Sequence, residues 1–254
     1  MGAVQHLPMA SAGQAAGAQD EPMPRALAIW TVAAILGVAV SAYLGLVYAG
    51  TDVTQGEVQR IFYFHVPAFF GAFVAFIATV VGGIMYLRTR LQKWDTLALS
   101  GVEVGLTFAL VNLFTGSIWA RPIWNTWWTW DPRLTSAAIM ILTYAAYLML
   151  RAGIENPEQR RRFASVYGIL AFATVLITLV IIRVRPDTIH PAVIGPSPQN
   201  AEGGFSLGPT QGAAFGINVL IYMILVPIPL LWHRIRLENL SDRVDAAKAR
   251  LLEK

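Results

Sequence analysis

The sequence predicts an all-α integral membrane protein with six transmembrane helices and both termini in the cytoplasm. Three observations carry that expectation. Of the 254 residues 56% are hydrophobic and only 13% charged, and the mean hydropathy of +0.53 is too high for a soluble domain of this size. Six long apolar runs separate the charges, and the Lys and Arg residues between those runs fall unevenly on two sides.

The first 25 residues, rich in Ala, Gly, Gln and Pro, hold no positive charge before Arg25. They lack the basic start of a secretory signal and read as a disordered cytoplasmic leader, residues 1–25. A run of about 20 apolar residues at 1.5 Å rise crosses the roughly 30 Å hydrocarbon core. The runs that meet this requirement are Ala26 to Gly50, Ile61 to Leu87, Thr96 to Ala120, Leu134 to Leu150, Phe163 to Ile182 and Gly212 to Trp232. Each is expected to be helical, because lipid offers backbone groups no other partner. Residues 26–232 thus form one membrane domain. Residues 233–254 carry mixed charges at helical spacing and read as a solvated cytoplasmic helix that extends the last span.

An even number of spans puts both termini on one side, and the basic residues decide which side. Fourteen of the nineteen Lys and Arg fall with the termini, and the other five are Arg60, Arg121, Arg133, Arg183 and Arg185. The positive-inside rule therefore leaves Thr51 to Arg60, Arg121 to Arg133 and Arg183 to Gln211 outside. The pI near 9.6 is accordingly topological; the basic residues do not gather into a face for nucleic acid. Cysteine is absent, which excludes disulfides and thiolate metal sites.

Five of the eight tryptophans, Trp119, Trp124, Trp127, Trp128 and Trp130, fall within twelve consecutive residues of the second outer segment. If that segment is helical, Trp124, Trp127, Trp128 and Asp131 share one face and form an aromatic shelf with an acidic end. One explanation is the aromatic belt of a membrane interface. The other is a platform for a large planar apolar ligand, whose faces indoles stack against.

His65 and His190 fall on the outer side, whereas His6 and His233 sit in cytoplasmic segments without ligand-like surroundings. Two neutral imidazoles from different segments suit both axial positions of haem iron; the competing reading is a pair of ordinary interfacial histidines. Haem propionates call for guanidinium groups, and the five outer basic residues are all Arg. They are candidates for that role or plain flanking charges. Glu103, within the third span, is expected to snorkel or to pair with a neighbouring helix.

The string Trp124-Asn-Thr-Trp-Trp-Thr-Trp-Asp-Pro-Arg-Leu-Thr-Ser136, within the segment 119–136, resembles the tryptophan-rich WWD signature of haem-handling membrane proteins. The six-span, two-histidine layout resembles the CcmC branch of cytochrome c biogenesis more than the larger CcsA-type synthases. The resemblance implies a haem-binding and delivery protein, not an enzyme, of the cytoplasmic (inner) membrane. It implies haem b as transient cargo, with His65 and His190 as axial ligands. Trp119, Trp124, Trp127, Trp128, Trp130 and Asp131 are the matching motif residues, and Arg60, Arg121 and Arg133 the nearest candidates for the propionates. The implied partners are a periplasmic haem chaperone (CcmE-like), an ABC transporter pair (CcmA- and CcmB-like) and a small membrane subunit (CcmD-like). Asn125 stands where the family often has Gly, and Asn tolerates the left-handed backbone a turn there requires. The Pro- and Gly-rich segment 183–211 suits a docking element. Two other functions fit less of the sequence: a transport subunit for another amphipathic molecule, and a b-type haem electron carrier. The first needs a polar path through the spans, where Glu103, Thr107 and Asn112 are the few polar groups, and the second needs histidine pairs within the spans.

Overall fold

The computed structural model describes residues 22–193, 197–199, 201 and 206–252. Most of the expected leader, with His6, and parts of the 183–211 segment lie outside the described residues. Seven α-helices follow in order: α1 Arg25–Tyr43, α2 Phe62–Thr89, α3 Gln92–Trp124, α4 Pro132–Ala152, α5 Pro157–Val184, α6 Pro209–Leu220 and α7 Pro227–Leu252. Through a π-helical turn at Ile221–Leu225, α6 and α7 run on as one apolar rod, so six spans result. The described residues form no strand, only an isolated bridge between Asp52 and Gly56. The fourth span, shortest in the sequence reading, is present over Pro132–Ala152. The last rod continues without a break beyond Trp232, as expected of the C-terminal stretch.

Helix boundaries follow local chemistry. Asn156 caps α5 by accepting from Glu158 N and Gln159 N, each at 3.0 Å, and Pro157 occupies the first turn, where a missing N–H costs nothing. Within α2, Pro67 cannot donate to the carbonyl of Tyr63. Asn218 of α6, fully buried, donates to that carbonyl at 3.0 Å and joins the two helices there.

Helices α2 and α3 are the central pair: 50% and 56% of their apolar windows are buried in protein, against 22–28% for the other spans. Lipid gives no hydrophobic drive to helix pairing, so close approach of small residues does the work. A Cβ on Gly82 would lie 2.6 Å from the Ala98 amide nitrogen, and one on Gly101 would lie 2.6 Å from the Ala75 carbonyl. Helix α4 joins the pair through Tyr144, whose ring stacks on Phe76 at 3.7 Å.

One end of the bundle carries the tryptophan segment, and the other carries Asp95, Arg151 and Arg161. Asp95 of α3 is buried and receives both ends of the Arg151 guanidinium of α4, at 2.6 and 2.9 Å. Arg161 of α5 stands 3.7 Å away. Glu103 pairs with Arg234 of α7, which also reaches Glu238 at 2.8 Å, so the expected partner is a neighbouring helix.

Candidate haem site

At the tryptophan end, His65 projects from α2 against α3. Its Nδ1 lies 2.9 Å from the carbonyl oxygen of Asn112 and 3.2 Å from the Thr115 hydroxyl. A carbonyl only accepts, so Nδ1 carries the proton and Nε2 keeps its lone pair. The Asn112 carboxamide donates to the His65 carbonyl at 2.7 Å; its 3.5 Å approach to Nε2 is too long to hold that nitrogen. Gly116, one turn along α3, makes room for the ring, since a Cβ there would come 2.7 Å from His65 Cε1. Asn112→Leu keeps the backbone carbonyl that holds Nδ1 and removes only the carboxamide bond to the His65 carbonyl, so it is expected to leave the fold in place and to weaken any metal bond of His65 by about threefold, less than the roughly tenfold of a lost outer-shell partner. A haem titration of the detergent-purified variant measures it; affinity equal to that of the unaltered chain would refute the role.

His190 reaches the same space from the segment after α5. Its Nδ1 lies 2.8 Å from the Pro191 carbonyl oxygen, so here too Nε2 is the bare nitrogen. Burial, with the positive charge of Arg133 close by, pushes its pKa down to about 4, so the ring is neutral at physiological pH. A neutral ring is the metal-binding form. Its backbone N–H donates to the Thr188 hydroxyl at 3.1 Å, and that hydroxyl donates to Asp131 Oδ2 at 2.6 Å. The other oxygen of Asp131 caps α4 by accepting from Leu134 N at 2.8 Å.

Each imidazole has one indole beside it. Trp119 meets His65 edge-on with ring centres 5.7 Å apart, and Trp124 meets His190 at 5.9 Å. Gln55 accepts from Trp119 Nε1 at 2.9 Å. His65, His190, Trp119, Trp124, Gln55 and Arg133 line one cleft, with about 610 Å³ of empty space around it, open solvent included. Arg133 also lies over the Phe69 ring at 5.1 Å and makes no ion pair among the described residues.

The other residues nominated from the sequence stand elsewhere. The helical shelf does not form: α3 ends at Trp124, Asn125 takes the left-handed conformation (φ 52°), and 125–131 is non-helical. The reason is local. Arg121 bonds the Asn125 carbonyl and side chain at 2.5 and 2.6 Å and fixes the turn, and Pro132 forces the residue before it, Asp131, into extended backbone. Trp127 and Trp130 are 59% and 76% exposed, and Trp130 meets Trp128 edge-on at 5.6 Å. Arg60 is outside the cleft, bound to Glu57 at 2.6 Å and to the Leu46 carbonyl. Sequence reading missed Gln55, Gly116 and Thr188; Asn112 alone had a signal, as an amide inside an apolar span.

The donor set is two imidazoles, and no group of three or more His, Cys, Asp or Glu among the described residues could hold a bare ion. Such a set suits a metal that brings its own equatorial donors, as iron in a porphyrin does. The flat aromatic neighbours and apolar lining suit the macrocycle.

Residues 14–190 match the family described as CcmC, Heme exporter protein C. The Heme exporter protein C of Paracoccus denitrificans is 30% identical over 227 residues, 87% of this chain and 90% of that protein. The Rhodobacter capsulatus protein of the same name is 34% identical over 51% of this chain and 54% of its own length. That of Escherichia coli K12 is 29% identical over 53% and 55%.

Proposed function

This chain belongs to the CcmC, Heme exporter protein C, family, and from that premise we propose that it holds haem b between His65 and His190 and delivers it for cytochrome c maturation. The observation that carries the reading is that two imidazoles from separate segments line one cleft, each with Nδ1 bound to a backbone carbonyl and Nε2 left for iron. The protein's own work is positional. Asn112 and Asp131 orient the two rings, Trp119 and Trp124 wall the macrocycle, and Arg133 supplies the cation for a propionate. No bond in the cargo has to be made or broken, so the chain acts as a carrier.

The distribution of Lys and Arg supports placing the tryptophan end toward the periplasm and both termini in the cytoplasm, in the inner membrane. The exposed Trp127 and Trp130 beside the cleft then offer a surface to a periplasmic haem chaperone (CcmE-like). An ABC transporter pair (CcmA- and CcmB-like) and a small membrane subunit (CcmD-like) complete the proposed assembly. The test is the visible spectrum of the full chain purified in mild detergent from haem-replete cells. A low-spin, doubly nitrogen-ligated spectrum is expected; a protein that neither retains haem nor takes it up from solution would end the proposal.

A further inference from the structure

The two imidazoles stand in the wall between two clefts. The first holds Trp119 and Trp124 and is lined mainly from α3 and α4. The second, lined mainly from α2 and α5, has about 880 Å³ of empty space, open solvent included, and no tryptophan among the described residues lines it. Phe69, Phe70, Leu179 and Ile182 line it, with His65, Asn112, Arg133, His190 and Pro191 common to both clefts.

We propose that the second cleft is the other half of the porphyrin site and takes the edge of the macrocycle turned away from Trp119 and Trp124. The inference rests on the haem reading above. Iron sits at the centre of its macrocycle. A porphyrin whose iron is bound by His65 and His190 therefore extends from the ligand axis on every side, and a single cleft receives only part of it. The residues common to both clefts are those around the axis, as a plate passing between the rings requires. Apart from Arg183, the residues peculiar to the second cleft are aromatic and branched aliphatic, suited to the methyl and vinyl groups of a pyrrole edge. Phe70 and Ile182 therefore belong to the binding surface although they lie far in sequence from the WWD segment.

The experiment places the photoreactive residue p-benzoylphenylalanine at position 182 of the full chain, purified from haem-replete cells, and identifies adducts by mass after irradiation. An adduct of haem mass on the peptide that carries position 182 is expected. In parallel, Leu179→Trp fills the cleft and is expected to lower haem per chain by about tenfold or more. Val180→Trp, at a position 47% exposed on the same helix, is expected to leave haem unchanged. Lipid adducts alone, with the haem band intact, or full haem content in Leu179→Trp, would overturn the second cleft and leave the histidine assignment standing. Absence of haem from the unaltered chain would overturn both.

Discussion

His190→Ala is expected to remove the low-spin haem spectrum from protein purified out of haem-replete cells, and His65→Ala to do the same. Each imidazole has one ring nitrogen committed to a backbone carbonyl, at 2.8 Å for His190 and 2.9 Å for His65, so each has a single nitrogen to give to iron. Loss of an outer-shell partner costs roughly 10–100-fold in metal affinity, and loss of the ligand itself should exceed that. The fold should survive. His190 stands outside the helices, and the cavity left by His65 is bordered by Gly116, which makes no side-chain contact with it. Haem per chain and the visible spectrum measure the effect, with imidazole then added from solution. Free imidazole is expected to restore low-spin absorption in both variants by filling the vacated axial position. An unchanged spectrum in either variant, before imidazole, would show that the histidine in question is no ligand.

Asp95→Ala is expected to cost the fold and not the cargo site. The carboxylate and the Arg151 guanidinium are both almost out of contact with solvent, at 6% and 10% exposure, and the cation also lies 5.8 Å from the Tyr147 ring centre. Removing one partner of a buried ion pair leaves an uncompensated charge and destabilises by about 3–5 kcal/mol. Three helices meet here, α3 through Asp95, α4 through Arg151 and α5 through Arg161, so the loss falls on the assembly of the bundle. Thermal unfolding in detergent and the amount of protein in the membrane measure it. The double variant Asp95→Ala, Arg151→Leu is expected to recover much of the lost stability, since it removes the stranded charge as well. Equal instability of the single and double variants would assign the damage to packing instead.

How much of this was legible in advance follows from what each feature depends on. The spans were legible because hydrocarbon thickness and backbone hydrogen bonding leave helices as the one solution for such runs. Asn125 was legible as a left-handed residue because its side chain type tolerates that backbone, and φ is 52°. The aromatic shelf was misread because helical periodicity was extended through a segment where Arg121, Asn125 and Pro132 end one helix and start another. Gln55, which lines the cleft, and Thr188, which holds the His190 backbone, stayed hidden because each acts with a residue far along the chain, Trp119 and Asp131 respectively. The WWD segment marked the neighbourhood of the site, but only tertiary packing decides which of its tryptophans meet a histidine.

The non-helical stretch 125–131 has a mechanical consequence. Trp124, at its near end, touches the His190 ring, and Asp131, at its far end, holds the hydroxyl that holds the His190 backbone. The stretch is thus a yoke fastened to that residue at both ends, to its ring at one and its backbone at the other, with Trp127 and Trp130 protruding from its span like handles. A push on the handles would reach His190 before His65, which is seated in a long helix.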